Sequence, residues 1–210
     1  MKFLDFKTRF RDLPVLPIRV VFGNAGRADL NQLDRWRKQG LLLQLRRGLY
    51  ILGKTERKIE PSRPYLAAQI YQPSYVSLEY ALSRYGLIPE RVADVTSVTT
   101  RKTARFANDF GTFTYQTVKP AAFRGFIAQK DESGLSYFIA EPEKAVADFV
   151  YLNRHKIAAG AEEETLLGSF RFQNIRSLKK RKLMEYFGFF NMRKMANVGK
   201  VLRALAGRDV

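Results

Sequence analysis

The apolar positions of the first sixty residues fall into short groups that proline and glycine separate. Phenylalanines spaced three and four residues apart predict a helix over residues 3–10, and the prolines at positions 14 and 17 end it. A short apolar run follows at residues 18–22, and the glycine-containing segment 23–26 predicts a turn. This part of the chain is therefore expected to begin with a helix, a short apolar segment and a turn.

A second helix is predicted over residues 29–39, directly after the turn. Asp29 is expected to cap its first turn, and Gly40 is expected to end it. At about 100° per residue, this helix has one apolar side and one polar side. The apolar side holds Leu30, Leu33 and Trp36. The polar side holds Asn31, Gln32, Arg35 and Lys38.

Two apolar strands follow at residues 41–45 and 49–52, with Arg46, Arg47 and Gly48 between them. Glycine takes the positive φ that a tight hairpin turn needs. Helix, short helix, turn, helix and basic-tipped hairpin, in that order, are typical of a winged helix-turn-helix. In this fold the last of the three helices, here residues 29–39, enters the DNA major groove, where Asn, Gln and Arg bind base edges. Arginines of the hairpin contact phosphates. The polar side of the second helix and the two arginines are the predicted DNA-binding surface.

The pattern changes after a proline-containing joint at residues 60–64. Two helices joined by a turn at residues 73–75 are predicted within about 64–85. A further helix is predicted at about 141–155, with proline and acidic residues in its first turn. Between them, at about 94–140, segments rich in β-branched and aromatic residues predict strands at residues 95–100, 112–118, 123–129 and 135–140. This predicts an antiparallel sheet with helices on one side, and hence an α+β fold for the chain.

Charge is distributed unevenly along the 210 residues, whose formal net charge is +17. Residues 1–60 carry a net charge of +8, residues 61–167 are neutral, and residues 168–210 carry +9. An excess of Lys and Arg confined to two segments is typical of a protein that binds a polyanion, above all nucleic acid. The alternative is a basic surface whose charges are only solvated.

The basic C-terminal segment predicts two helices within residues 174–205, with Asn191 as the cap of the second. Apolar residues share one side of that second helix, and basic residues share the other. The candidates for a further nucleic-acid or partner contact are Lys179, Lys180, Arg193, Lys200 and Arg203. The alternative is a helix pair that covers the sheet and exposes these charges to water.

Three blocks of the sequence are informative as a set, because their order and spacing extend over most of residues 18–154. The blocks are Leu45–Leu52, Tyr75–Leu82 with Tyr85–Pro89, and Ala140–Asp148 preceded by Phe123–Phe126. As an ordered set they resemble the AbiEi family of bacterial abortive-infection antitoxins. The chain departs from the family pattern at residues 18–27, where the first helices are short and interrupted by glycine.

The resemblance implies a winged helix-turn-helix domain, residues 1–60, and an antitoxin domain, residues 61–210. The first would repress the protein's own operon by binding repeats in its promoter, and the second would neutralise a toxin of the nucleotidyltransferase type. The implied partners are double-stranded promoter DNA and the cognate toxin, and direct contact with the toxin stays open. The resemblance supplies no catalytic residues.

Two other functions stay open from the sequence alone. One is a winged-helix transcriptional regulator without a toxin, whose residues 61–210 sense a ligand or a protein. The other is an RNA-binding or RNA-modifying protein that acts through the basic C-terminal segment. A winged helix used only for protein contacts is a further alternative for residues 1–60.

The composition argues against catalysis, metal binding and membrane contact. The chain has no cysteine and one histidine, His155, so it lacks the residues of common metal sites and catalytic triads. Glu141 and Glu143 are expected to serve a helix start, and Lys144 with Asp148 an ordinary one-turn ion pair. No apolar run approaches the roughly 20 residues of a membrane span. We therefore expect a cytoplasmic protein without enzymatic activity, cofactor or metal.

Overall fold

The structure, a computed structural model, describes residues 1–24 and 26–207 and has an α+β fold. Its α-helices are α1 (Phe3–Phe10), α2 (Ile18–Phe22), α3 (Arg27–Lys38), α4 (Arg63–Ile70), α5 (Leu78–Arg84), α6 (Pro142–Asn153), α7 (Glu162–Glu164), α8 (Lys180–Gly188) and α9 (Arg193–Leu205). Single turns of other helix types lie at Pro120–Ala122, Arg154–Lys156, Thr165–Ser169 and Ile175–Ser177. The predicted helices are thus present with shifted boundaries, and the apolar run Ile18–Phe22 forms the short helix of the predicted order.

The described residues also form two β-sheets. Their strands are β1 (Leu16–Pro17), β2 (Leu42–Arg46), β3 (Leu49–Leu52), β4 (Ser74–Val76), β5 (Val95–Thr99), β6 (Ala104–Asn108), β7 (Gly111–Thr117), β8 (Phe126–Lys130) and β9 (Ser136–Ala140). One sheet has three antiparallel strands in the order β1–β3–β2. The other has six strands in the order β6–β7–β5–β4–β9–β8.

The six-stranded sheet is mixed, so the prediction of an antiparallel sheet is wrong. β5 pairs in parallel with β7, and β4 pairs in parallel with β9. The other neighbouring strands are antiparallel. Both parallel pairs join strands that are not consecutive in the chain, whereas turn residues in a sequence indicate only the hairpins between consecutive strands.

Two strands of this sheet lie where the sequence predicts none. β4 lies within the segment 64–85, where the sequence predicts a turn between two helices, and it is in the centre of the sheet. Its Val76 pairs with Ser97 on one side and with Ile139 on the other. β6 forms an edge of the sheet, and its residues alternate between half-buried and exposed positions. Pairing with the distant β9 helps to determine β4, whereas β6 pairs, among the described strands, only with β7, the next strand in the chain.

Helices lie on both faces of the six-stranded sheet, which corrects the prediction of helices on one side. Tyr75 and Tyr115 pair with consecutive residues of β5, so their side chains point to opposite faces. The Tyr115 hydroxyl donates a hydrogen bond of 2.7 Å to the carbonyl oxygen of Ala67 in α4. The Tyr75 hydroxyl donates one of 2.9 Å to the carboxylate of Asp148 in α6.

Two helix caps differ from their predictions, and one helix end agrees. Gly26 precedes α3, and its N–H donates to the Asp29 carboxylate at 3.0 Å, so Asp29 lies in the first turn and not at the cap. Asn191 has a φ of +46° and lies outside α9, whose N-cap is Met192. Gly40 follows α3 with a φ of +72°, as predicted for the residue that ends this helix.

Two clusters of buried apolar side chains hold the described residues together. The smaller cluster joins α1, α3 and the three-stranded sheet, and in it the ring centroids of Phe6 and Trp36 are 4.8 Å apart. The larger cluster packs the six-stranded sheet against helices that include α4, α6, α8 and α9. The hairpin of β2 and β3 contributes Leu42 and Leu52 to the smaller cluster, and Leu45, Leu49 and Ile51 to the larger one.

Candidate nucleic-acid interface

The polar side of α3 faces solvent, and its apolar side faces the smaller core. Asn31 and Arg35, two of the predicted base contacts, are exposed. Leu33 and Trp36 are buried on the other side. Leu30, which the sequence predicts on the apolar side, is 48% exposed and lies outside the smaller core. The helix is thus anchored through Leu33 and Trp36 and exposes Asn31 and Arg35 on its other side.

The two other residues predicted on the polar side of α3 have partners within the protein. The amide of Gln32 donates to the carbonyl oxygen of Met1 at 2.5 Å. Lys38 forms an ion pair of 3.0 Å with Asp34, and Arg37 binds the same carboxylate at 2.7 Å. These hydrogen bonds, first from Arg37 and then from Lys38, lower the pKa of Asp34. Lys38 itself stays exposed, whereas Gln32 is half-buried.

The tip of the hairpin presents two arginines to solvent. Arg46 and Arg47 are both exposed, and the guanidinium of Arg46 donates to the carbonyl oxygen of Arg47 at 3.0 Å. Gly48 has a φ of +79°, the conformation predicted for this turn. The carbonyl oxygen of Gly48 accepts the N–H of Ile18 at 2.9 Å, which joins the tip to the start of α2. The turn therefore has a fixed place beside the helices.

The hairpin tip also borders the six-stranded sheet. The amide of Asn108 in β6 donates to the carbonyl oxygen of Leu45 at 3.0 Å. A cavity of about 610 Å³ lies between the tip and the sheet, and Arg101 lines it together with Arg46 and Arg47. Arg101 is missing from the residues predicted to bind nucleic acid. In the sequence, Arg101 is marked only as one of two basic residues, with Lys102, between two strand-forming segments. That pattern does not indicate that the turn between β5 and β6 lies beside the tip of the β2–β3 hairpin.

The five basic residues predicted as a further contact on the C-terminal segment are all exposed. They are Lys179, Lys180, Arg193, Lys200 and Arg203. Within the part of the chain that the structure describes, none of them forms an ion pair. The opposite side of α9 is buried through Met195, Val198, Leu202 and Leu205, as its apolar pattern predicts.

Glu141 and Glu143 join the C-terminal segment to the start of α6. Glu141 is the N-cap residue, but its side chain makes no capping hydrogen bond and instead accepts hydrogen bonds from Lys182 and Tyr186. Burial raises the pKa of Glu141, but these two hydrogen bonds and the positive charges of Lys182 and Lys179 together outweigh burial, so the pKa lies below its ordinary value. The Glu143 carboxylate accepts the N–H of Lys179 at 2.8 Å. Both carboxylates therefore position α8, beyond the helix-start role that the sequence predicts.

Lys144 and Asp148 of α6 are completely buried, so they are not the ordinary ion pair that the sequence predicts. The Asp148 carboxylate also accepts hydrogen bonds of 2.9 Å from the hydroxyls of Tyr75 and Ser77. Burial raises the pKa of Asp148 and lowers the pKa of Lys144, and each partner offsets part of the effect on the other. A lysine and an aspartate four residues apart have the same sequence pattern whether the pair is exposed or buried, so the sequence does not predict this burial.

Two other kinds of site are absent from the part of the chain that the structure describes. In residues 1–24 and 26–207, no group of three or more acidic or histidine side chains is arranged to hold a metal ion. None of the helices in those residues has both the length and the hydrophobicity needed to cross a membrane. The sequence matches no protein-family model and no curated protein.

Proposed function

We propose that residues 1–60 form a winged helix-turn-helix that binds double-stranded DNA. Support comes from the order α1, β1, α2, α3, β2, β3 and from a sheet in which β3 lies between β1 and β2. In a winged helix-turn-helix, the third helix enters the major groove and the hairpin contacts the backbone or the minor groove. The corresponding elements here are α3 and the hairpin with Arg46 and Arg47 at its tip.

One observation carries this proposal: the residue types that bind DNA lie exposed on the two elements that would touch it. Asn31 and Arg35 are exposed on α3, and Arg46 and Arg47 are exposed at the hairpin tip. Asn pairs through two hydrogen bonds with adenine, and Arg pairs in the same way with guanine. Arg at a hairpin tip suits phosphate, because its planar group donates two parallel hydrogen bonds. The net charge of +8 on residues 1–60 adds attraction to a polyanion.

We further propose that the protein is the antitoxin of a toxin–antitoxin system and represses its own promoter. The support is the resemblance of three sequence blocks to AbiEi antitoxins, which assigns residues 61–210 to neutralising a nucleotidyltransferase-type toxin. The second and third blocks lie in contact, because Tyr75 and Ser77 of one donate to Asp148 of the other. The two blocks thus belong to one packed unit.

Fluorescence anisotropy with the protein's own promoter tests DNA binding. The double variant R46A/R47A should bind every duplex more weakly, and the slope of log affinity against log salt should fall by about 2, since each lost phosphate contact removes about 0.9. The control is R91A/K130A, which removes the same charge from exposed positions outside residues 1–60. A double variant with wild-type affinity and slope would show that the hairpin tip does not bind DNA.

Co-expression with the product of the neighbouring gene tests the antitoxin assignment. We expect the wild-type chain to restore growth and to repress the promoter, and R46A/R47A to restore growth while losing repression. If the wild-type chain does not relieve growth arrest, the antitoxin assignment is wrong. If the same chain still represses the promoter, the result favours the transcriptional regulator without a toxin.

A cavity of about 660 Å³ favours this second candidate, a regulator that senses a ligand. It lies between the six-stranded sheet and α6, and polar residues such as Glu79, Gln116 and Asn153 line it beside Phe149 and Leu152. The apolar side chains would contact the body of a small ligand, and the polar ones would orient it by hydrogen bonds. A metabolite that changes promoter affinity, together with the absence of toxin rescue, would favour the regulator. Preferential binding of structured RNA in the same assay would favour the RNA-binding alternative.

A further inference from the structure

We infer that Arg101 completes a phosphate-binding cleft with Arg46 and Arg47, so that the DNA contact extends from the hairpin onto the edge of the six-stranded sheet. The inference rests on the proposed DNA-binding function and deepens it by adding a residue from outside the first sixty. The ligand is the phosphodiester backbone of the duplex that the hairpin holds.

The walls of this cleft are positively charged on both sides. Arg46 and Arg47 lie on the hairpin wall, and Arg101 lies on the opposite wall with Tyr71 and Gln72. None of the residues that line the cavity is acidic. Like charges around one cavity repel each other, and a bound anion would remove that repulsion. The cleft therefore favours an anionic ligand.

The side chain of Arg101 is held in place at the cleft. Its guanidinium carbon lies 4.7 Å from the centroid of the Tyr71 ring, and one nitrogen donates to the carbonyl oxygen of Gln72 at 3.0 Å. The Tyr71 hydroxyl donates to the carbonyl oxygen of Lys102 at 3.0 Å, which fixes the ring. Because a guanidinium has several N–H donors, one carbonyl contact leaves the others available. The group is thus oriented before any ligand binds.

The three arginines have no carboxylate partner among the residues that the structure describes. None of the ion pairs in that part of the chain includes Arg46, Arg47 or Arg101, and all three residues are exposed. Phosphate matches the planar, two-pronged donor geometry of arginine. The cleft therefore has the charge, the donors and the access that a phosphate group needs.

Continuity with the hairpin tip identifies DNA as the source of the phosphate. Two of the three arginines are the residues proposed to contact the backbone, and the third lies across the same cavity. Phosphates of one strand follow each other at about 3.4 Å along the duplex axis. A strand with one phosphate at the hairpin tip therefore has further phosphates next to the cavity that Arg101 lines.

The test measures binding of the full-length chain to a random-sequence duplex by fluorescence anisotropy over a series of salt concentrations. R101A should weaken binding several-fold at low salt and reduce the salt slope by about 1, as one lost phosphate contact does. The matched control is K130A, which removes an exposed charge from β8 at the opposite edge of the sheet. R101Q keeps a donor for the Gln72 carbonyl and should show the same loss, which separates lost charge from a disturbed turn.

Each outcome distinguishes this inference from the proposed function. If R46A/R47A reduces the salt slope and both Arg101 variants bind like the wild type, the inference alone is wrong. A wild-type chain that binds no duplex overturns the inference together with the proposed function.

A second experiment titrates the protein with inorganic phosphate and follows the arginine side-chain NMR signals. Phosphate could saturate the Arg101 signal while R101A leaves the salt slope of DNA binding unchanged. That result would show that the cleft binds a free anion and would overturn the assignment to DNA.

Discussion

Lys144 and Asp148 lie one turn apart on α6, and neither side chain has any exposed surface. The ammonium group donates to the carboxylate and lies 5.1 Å from the ring centroid of Phe190, which follows α8. Tyr75 and Ser77, at β4 and directly after it, donate to the other carboxylate oxygen. The pair thus joins the central strand, α6 and the C-terminal segment at one point in the larger core. A buried charge without its partner is costly, so each member of this network depends on the others.

Removing one member of this pair should destabilise the fold far more than removing both. D148N leaves a buried ammonium without its counter-charge, and we expect a loss of about 3–5 kcal/mol in the free energy of unfolding. K144M/D148N keeps an acceptor for the two hydroxyls and removes both charges, so it should be more stable than the single variants predict by addition. Urea unfolding of the wild type, K144M, D148N and K144M/D148N gives the coupling energy directly.

The surface pair of Lys58 and Asp12 serves as the control for the buried pair. Both residues are exposed, and K58A should leave the urea midpoint nearly unchanged because water screens such pairs. If D148N unfolds at the wild-type midpoint, the buried pair has no role in holding the three elements together.

Asp131 should make part of the stability depend on pH. Burial raises its pKa, but hydrogen bonds from the backbone N–H groups of Ser62, Leu135 and Ser133 outweigh burial and bring the pKa below its ordinary value. A carboxyl whose pKa is lower in the folded state stabilises the fold above its unfolded pKa, and this contribution disappears as the pH falls through the folded pKa. The stability advantage of the wild type over D131N should therefore be full near neutral pH and shrink below about pH 4.

Chemical unfolding of the wild type and D131N at several pH values measures this advantage. E132Q, at the exposed neighbouring position, is the control for a general loss of negative charge. An advantage that is the same at pH 7 and pH 3 would show that the carboxylate does not hold the joint at Ser62 to the turn between β8 and β9.

Local patterns predict those elements that local interactions determine. The Arg27–Lys38 helix and the hairpin around Gly48 follow from an apolar stripe and from one residue that takes positive φ. β4 and the parallel pairing of β5 with β7 depend on residues far apart in the chain, which periodicity does not report. The candidate site divides in the same way. Arg46 and Arg47 follow from the turn, whereas Arg101 joins them only through the sheet order.

Residues 61–210 should be less stable alone than within the full chain. The hairpin places Leu45, Leu49 and Ile51 in the larger core, so a chain that begins at residue 61 exposes the apolar surface they cover. We expect a lower thermal midpoint and increased binding of a hydrophobic dye relative to the full chain. A shortened chain with the full-length midpoint and no dye binding would show that the hairpin adds nothing to the larger core.

Asn31 and Arg35 should determine which DNA sequence is preferred, not how tightly DNA in general is held. Each N31A or R35A variant should narrow the affinity difference between operator and random duplex by about 1–3 kcal/mol, the value of a paired hydrogen bond to the right base. The salt slope should change less than in R46A/R47A, because base contacts release fewer counterions than phosphate contacts. R37A is the matched control on the same helix, since Arg37 binds Asp34. Equal operator preference in N31A, R35A and R37A would show that α3 does not contact the bases, and the hairpin would then hold DNA without selecting its sequence.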